Sequence, residues 1–118
     1  MVQFEQIGLD ASFAALSDAT RRGVLERLAR SDASISALAG SFDMTLTGMK
    51  KHVSILEQAG LVTTEKVGRV RTCRLGRLDF ETEMAWMEQQ RRLWAARFDT
   101  LDRIVEELRA KENEDAPE

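Results

Sequence analysis

At 118 residues, 43% of them apolar and 31% charged, the chain is one domain's worth of polypeptide with a modest core. The opening MVQFEQIG lacks the basic and apolar runs of a signal peptide, and nowhere do about 18 uncharged apolar residues follow one another, which points to the cytoplasm and away from a membrane. A single cysteine, Cys73, excludes a disulfide framework and leaves too few thiols for a structural zinc site, so a buried, inert thiol is expected.

The formal charge of −3 argues at first against nucleic acid, but its distribution argues the other way. Residues 1–43 carry −2, residues 44–77 carry +5 and residues 78–118 carry −6. A basic middle on an acidic body attracts phosphates locally while the remainder keeps the protein in solution.

In chain order, residues 1–8 offer Phe4 and Ile7 without a clear cap, as a frayed lead or as part of a first helix. Residues 10–16 read as a short helix started by Asp10 or Ser12 and burying Phe13 and Leu16. Asp18 caps a stronger helix through Ala29, with Val24, Leu25 and Leu28 as its apolar stripe, Arg21 and Arg22 pointing elsewhere, and Gly23 marking close packing. After the turn at Ser31-Asp32-Ala33, Ser36 is the expected cap of a short helix, Ala37 to Phe42, with Leu38 inward. Asp43-Met44 has the length of the connection in a helix-turn-helix.

Thr45 caps the next helix and Gly60 ends it. Leu46, Met49, Val53 and Leu56, spaced by three, four and three, predict one buried stripe. The opposite face carries Thr47, Gly48, Lys50, Lys51 and Ser54, short polar groups and ammonium ions that suit a DNA groove. Beyond Gly60 the β-branched runs 62–67 and 70–75 flank Gly68-Arg69, whose leading glycine fits a two-residue II′ hairpin. Lys66, Arg69, Arg71 and Arg74 against Glu65 alone make this ribbon a phosphate-contacting wing, in preference to charges that only blunt a sheet edge.

Asp79 is the expected cap of the longest helix, which runs to Ala110 with Glu81 and Glu83 at its start and Arg109 at its end complementing the helix dipole. Phe80, Met84, Met87, Arg91, Trp94, Phe98, Leu101, Val105 and Leu108 form a heptad seam, widened by Trp86, Leu93 and Ile104. About 30 residues of helix extend roughly 45 Å, further than the rest of the chain can cover, so a second copy is expected on the seam. Phe4, Ile7, Phe13 and Leu16 would join that dimer surface. Residues 1–110 read as one domain, and 111–118 as a disordered acidic tail. The expected fold is mainly α with a small β-hairpin, in the order α-α-α-α-β-β-α.

ALSDATRRGVLERLA, FDMTLTGMKKHVSILEQAGLV and VGRVRTCRL together resemble the ArsR-type winged helix-turn-helix repressors, in the subgroup whose last helix carries a tryptophan-rich AW-(x)n-RRLW segment. The resemblance runs through residues 13–75 and more loosely through 79–108. It implies a bacterial homodimer, paired through its first and last helices, that binds operator DNA with the recognition helix in the major groove and the wing beside it. Thr45, Lys51 and His52 fall on the family's S-x(5)-K-H segment, and Gly68 and Arg69 on the GR of the wing tip. Ala19 stands where the family usually has proline, and Leu46, Gly48 and Lys50 stand where polar or small groups are common, so no sequence preference carries over.

Metal sensing, the property most associated with such repressors, is not expected. Residues 36–50 hold no cysteine pair and residues 79–110 no histidine. His52, the single imidazole, reads as a helix-surface residue bonded to a neighbouring backbone or to a phosphate. With one histidine, one cysteine and no glycine-rich phosphate loop, neither an enzyme nor a cofactor is expected. The alternative to a repressor is a winged-helix protein-interaction module, which requires a neutral or negative recognition face instead of the basic one present.

Overall fold

Three helix starts are set by side chains that accept an otherwise orphaned backbone N–H. Asp18 accepts from Arg21 at 3.0 Å, Ser34 from Ala37 at 3.0 Å and Thr45 from Gly48 at 3.1 Å. The computed structural model describes residues 2–115, with side chains described within residues 8–114. Its elements are α1 (Val2–Leu16), α2 (Ala19–Leu28), β1 (Ala33–Ser34), α3 (Ile35–Ser41), α4 (Leu46–Gln58), β2 (Val62–Val67), β3 (Val70–Leu75) and α5 (Glu81–Asp115). The expected order of helices and hairpin is present. The cap of α3 is Ser34 in place of the expected Ser36, because Ile35 is drawn into the core as the first helical residue and carries the start with it.

Residues 33–34, where the sequence predicts only a turn and an approach to the helix, form a third strand. Ala33 lies opposite Cys73 and Ser34 opposite Thr72, giving the sheet order β1-β3-β2. The hairpin register is the expected one: Val67 pairs with Val70 around Gly68-Arg69, and Gly68 alone in that loop has a positive φ, +63°.

Two Schellman turns frame the helix-turn-helix. After α4, Gly60 N–H donates to Glu57 O at 2.9 Å and Leu61 N–H to Leu56 O at 3.0 Å, with Gly60 at φ +76°. After α3, Asp43 N–H donates to Gly40 O at 3.3 Å and Met44 N–H to Ala39 O at 2.9 Å, with Asp43 itself in the left-handed region at φ 52°. This second turn makes the connection between α3 and α4 tight enough to pack the two helices as a unit.

The backbone divides into two compact units, one ending at Thr82 and the other beginning at Glu83. The first holds a single core in which Val24, Leu38, Met49, Leu56, Leu61, Val62 and Cys73 are fully buried. Gly23 sits where an added Cβ would lie 2.7 Å from the Phe42 ring, so the close packing expected there is real. Leu46 departs from the predicted stripe, being 43% exposed. It is the first residue of α4, and the core ends one turn further on at Met49.

Phe80 also departs from expectation. Its φ of +52° breaks the helical path before Glu81, and its ring packs against the first unit's core instead of joining the seam. Asp79 caps α5 from one residue further back, its Oδ1 accepting from Glu81 N–H at 3.2 Å. In the second unit, α5 continues to Asp115, past Ala110 and through most of the stretch expected to be a disordered tail. Lys111, Glu112 and Glu114 are good helix formers, and Pro117 is the next residue that opposes a helix. Residues 116–118 lie outside the described residues.

Candidate nucleic-acid interface

α4 turns Met49, Val53 and Leu56 into the core and leaves Thr45, Leu46, Thr47, Lys50, Lys51, Ser54 and Ile55 exposed, with Gly48 half-buried between them. No acidic side chain occupies its first turn. The Thr45 hydroxyl is engaged as the helix cap, so the freely turning polar groups of this face are Thr47, Lys50, Lys51 and Ser54.

His52 lies on the other flank of α4 and is only 20% exposed. Its Nδ1 is 3.1 Å from Nη1 of Arg21 and 3.8 Å from Oδ2 of Asp18. A guanidinium only donates, so Nδ1 accepts and the ring proton sits on Nε2. Arg21 is itself held in place: its Nε donates to Ala15 O and its Nη2 to Ala14 O, both at 2.9 Å, while Arg22 donates to Leu16 O at 2.7 Å. These carbonyls belong to the last turn of α1, where Ala14 O accepts from Ser17 as well. Within the chain, His52 thus meets a side chain of α2 through Nδ1, where a bond to neighbouring backbone was one expectation. The backbone N–H of Arg21, aided by the charge of its guanidinium, holds the Asp18 carboxyl below its usual pKa.

The wing's basic groups divide into two sets. Arg71 donates to Thr64 Oγ1 at 2.8 Å, and Thr64 donates on to Glu57 Oε2 at 2.8 Å, a chain that ties β3 and β2 to the last turn of α4. Arg74 lies 3.5 Å from Glu65 and 3.7 Å from Asp32. Lys66 and Arg69 are exposed and, like Lys50 and Lys51, have no carboxylate partner among the described residues. Within α4 and the wing, the cations free of a carboxylate are therefore Lys50, Lys51, Lys66 and Arg69, while Arg71 and Arg74 brace the structure between them.

Cys73 is buried within the sheet, and desolvation, with a smaller push from Glu57, raises its thiol pKa to about 11. No group of three or more His, Cys, Asp and Glu side chains able to hold a metal ion occurs among the described residues. No helix among them is long and apolar enough to cross a membrane.

Of the residues expected at a dimer surface, Met84, Met87, Trp94, Phe98, Leu101, Val105 and Leu108 are all exposed on α5, and Trp86, Leu93 and Ile104 with them. Phe13 is half-buried on α1, and the side chains of Phe4 and Ile7 lie outside those described. Arg91, the polar member of the seam, is held by Glu88 through bonds of 2.9 and 2.7 Å. Arg21 is the site residue that sequence reasoning misses. Its one local signal is its place three residues after the Asp18 cap, from which a long side chain reaches back over the preceding helix end.

Residues 16–65 match a family described as a helix-turn-helix domain. An uncharacterised helix-turn-helix-type transcriptional regulator of Bacillus subtilis strain 168, YuzN, is 39% identical over 69 residues, covering 52% of this chain and 75% of the relative. A crystal structure of an ArsR family transcriptional regulator is 44% identical with a TM-score of 0.70, covering 76% of this chain and 93% of its own. An ArsR-like transcriptional regulator from Rhodococcus sp. RHA1 is 32% identical with a TM-score of 0.75, covering 91% and 98%.

Proposed function

Because this chain belongs to the ArsR family of winged helix-turn-helix transcriptional regulators and is a DNA-binding regulator of transcription, we propose that it works as a homodimeric repressor reading an inverted-repeat operator. In this role α4 enters the major groove and the β2-β3 wing rests on the backbone or in the minor groove. The observation that carries the proposal is the location of the unpaired cations Lys50, Lys51, Lys66 and Arg69 on those two elements. Thr47, Lys50, Lys51 and Ser54 face the base edges, with the small Gly48 allowing close approach. Lys66 and Arg69 neutralise phosphates, releasing counterions and supplying affinity that is independent of sequence. Thr45, His52 and Arg71 hold the reading surface in shape.

Dimerisation follows from α5. A helix of 35 residues is about 53 Å long, and an apolar seam exposed along most of that length is stable in water only when covered. A second α5 repeats the same heptads and offers Trp94 and Phe98 as anchors. The protein would act in the cytoplasm, at the nucleoid when bound, and needs neither cofactor nor metal for DNA binding. Selection of bound duplexes from a randomised pool, followed by footprinting, tests this directly. A two-fold site with half-site centres about one helical turn apart is expected. Failure of every duplex to exceed random DNA would favour the interaction module.

A further inference from the structure

Within residues 8–82, the exposed large apolar side chains are Leu46 and Ile55 on α4 and Val67 and Val70 on either side of the wing loop. They occupy the same two elements as Lys50, Lys51, Lys66 and Arg69, so these elements are apolar as well as basic. Leu46 is the telling member. It stands in the first turn of α4, the part of a recognition helix that reaches base edges, with Thr47 and Lys50 as exposed neighbours and no acidic group in its turn. The major groove offers one large apolar feature, the 5-methyl group of thymine.

We propose that Leu46 is a specificity-determining residue that packs on a thymine 5-methyl group in each half-site. This rests on the DNA-reading role of α4 and adds to it the base feature that is read. A leucine gains by covering that methyl group, and cytosine presents only hydrogen at the same carbon. Adenine and guanine place N7, N6 or O6 there, polar atoms that leucine would strip of water without bonding. The preference at that position is therefore thymine, then cytosine, then purine, and Lys50 beside it addresses a neighbouring guanine.

The test replaces thymine by deoxyuridine, which removes the methyl group and keeps every hydrogen-bonding atom. In the duplex obtained by selection, each symmetric pair of thymines is replaced in turn and affinity is measured for the wild type, Leu46→Ala and Leu46→Met. Removing one buried methyl group corresponds to about a fourfold change in affinity, so about 15-fold for both half-sites. One symmetric pair should show that loss with the wild type and with Leu46→Met, and none with Leu46→Ala. Replacing that pair by 5-methylcytosine should retain more affinity than replacing it by cytosine. A selected site without thymine under the protein, indifference of the wild type to every replacement, or full sensitivity surviving in Leu46→Ala would each overturn the assignment while leaving specific DNA binding intact. A pool that yields no preferred duplex removes the DNA-reading role and the assignment together.

Discussion

Arg21 Nη1 meets His52 Nδ1 at 3.1 Å across 31 positions of sequence, while the other two nitrogens of the same guanidinium hold the carbonyls of Ala14 and Ala15. One side chain thus fastens the end of α1, the start of α2 and the flank of α4. α4 is oriented along one flank by this bond and from its far end by the chain from Arg71 through Thr64 to Glu57.

Removing Arg21 should therefore cost more than an ordinary surface substitution. Arg21→Ala forfeits charge-assisted bonds to two carbonyls and one imidazole, and a destabilisation of about 1–3 kcal/mol is expected in urea unfolding. A cycle with His52→Ala should show a coupling of roughly 0.5–1.5 kcal/mol, whereas additive effects would mean that the two side chains act separately. The depressed Asp18 pKa adds a pH dependence. A carboxyl with its folded pKa lowered contributes stability above its unfolded value and loses it as pH falls through the folded value, so Asp18→Ala should flatten the acid limb of the stability curve.

Asp43 holds a left-handed conformation at φ 52° in the turn between α3 and α4. Glycine adopts it without a Cβ penalty, so Asp43→Gly should raise stability by up to about 1 kcal/mol. Asp43→Val should lower it by more, since a β-branched side chain tolerates that region worst. Thermal unfolding of both variants gives the comparison, and a fall in stability for the glycine variant would show that the aspartate side chain contributes more than its backbone strain removes.

The Cys73 thiol, raised from 9.0 to about 11, links stability to alkaline pH. Between those values the unfolded chain loses a proton that the folded chain keeps, so stability falls as pH rises, by roughly 2–3 kcal/mol over the window. Cys73→Ala should start lower because of the cavity left behind, but should lack that component of the slope. Absence of tyrosine keeps the window free of phenol titration. In the native state at neutral pH the thiol should resist a disulfide reagent that labels it at once in urea.

The seam on α5 can be broken by one charge. Phe98→Glu should convert a dimer at micromolar concentration into a monomer by sedimentation and weaken binding to a two-half-site duplex far more than to a single half-site. Chelator or stoichiometric zinc should leave wild-type DNA affinity unchanged, and a large shift with either would contradict metal-independent binding.

Short-range chemistry makes much of this architecture legible. Asp18 and Thr45 announce their helices, Gly60 closes α4, and Gly68-Arg69 sets the hairpin register, each through bonds spanning only a few residues. What escapes depends on partners distant in sequence. β1 is two residues long and exists because β3 has a free edge for Ala33 and Ser34. Arg21 and His52 find each other only once α2 and α4 have packed. Leu46 fits the helical period of the buried stripe, but period alone does not say where along α4 the core ends. Charge counting likewise finds four basic wing groups, whereas the geometry engages Arg71 and Arg74 in internal bonds and leaves Lys66 and Arg69 facing outward.

The division of labour between α4 and the wing is tested most directly by titrating Lys50→Ala and Arg69→Ala on the selected duplex and on random DNA across a salt series. Lys50→Ala should cost about 1–3 kcal/mol on the selected duplex and little on random DNA, shrinking their ratio. Arg69→Ala should weaken both alike and lower the salt slope by about 1 for each phosphate no longer neutralised, hence about 2 for a symmetric dimer. Equal weakening by both variants on both duplexes would contradict the assignment of α4 as the reading element.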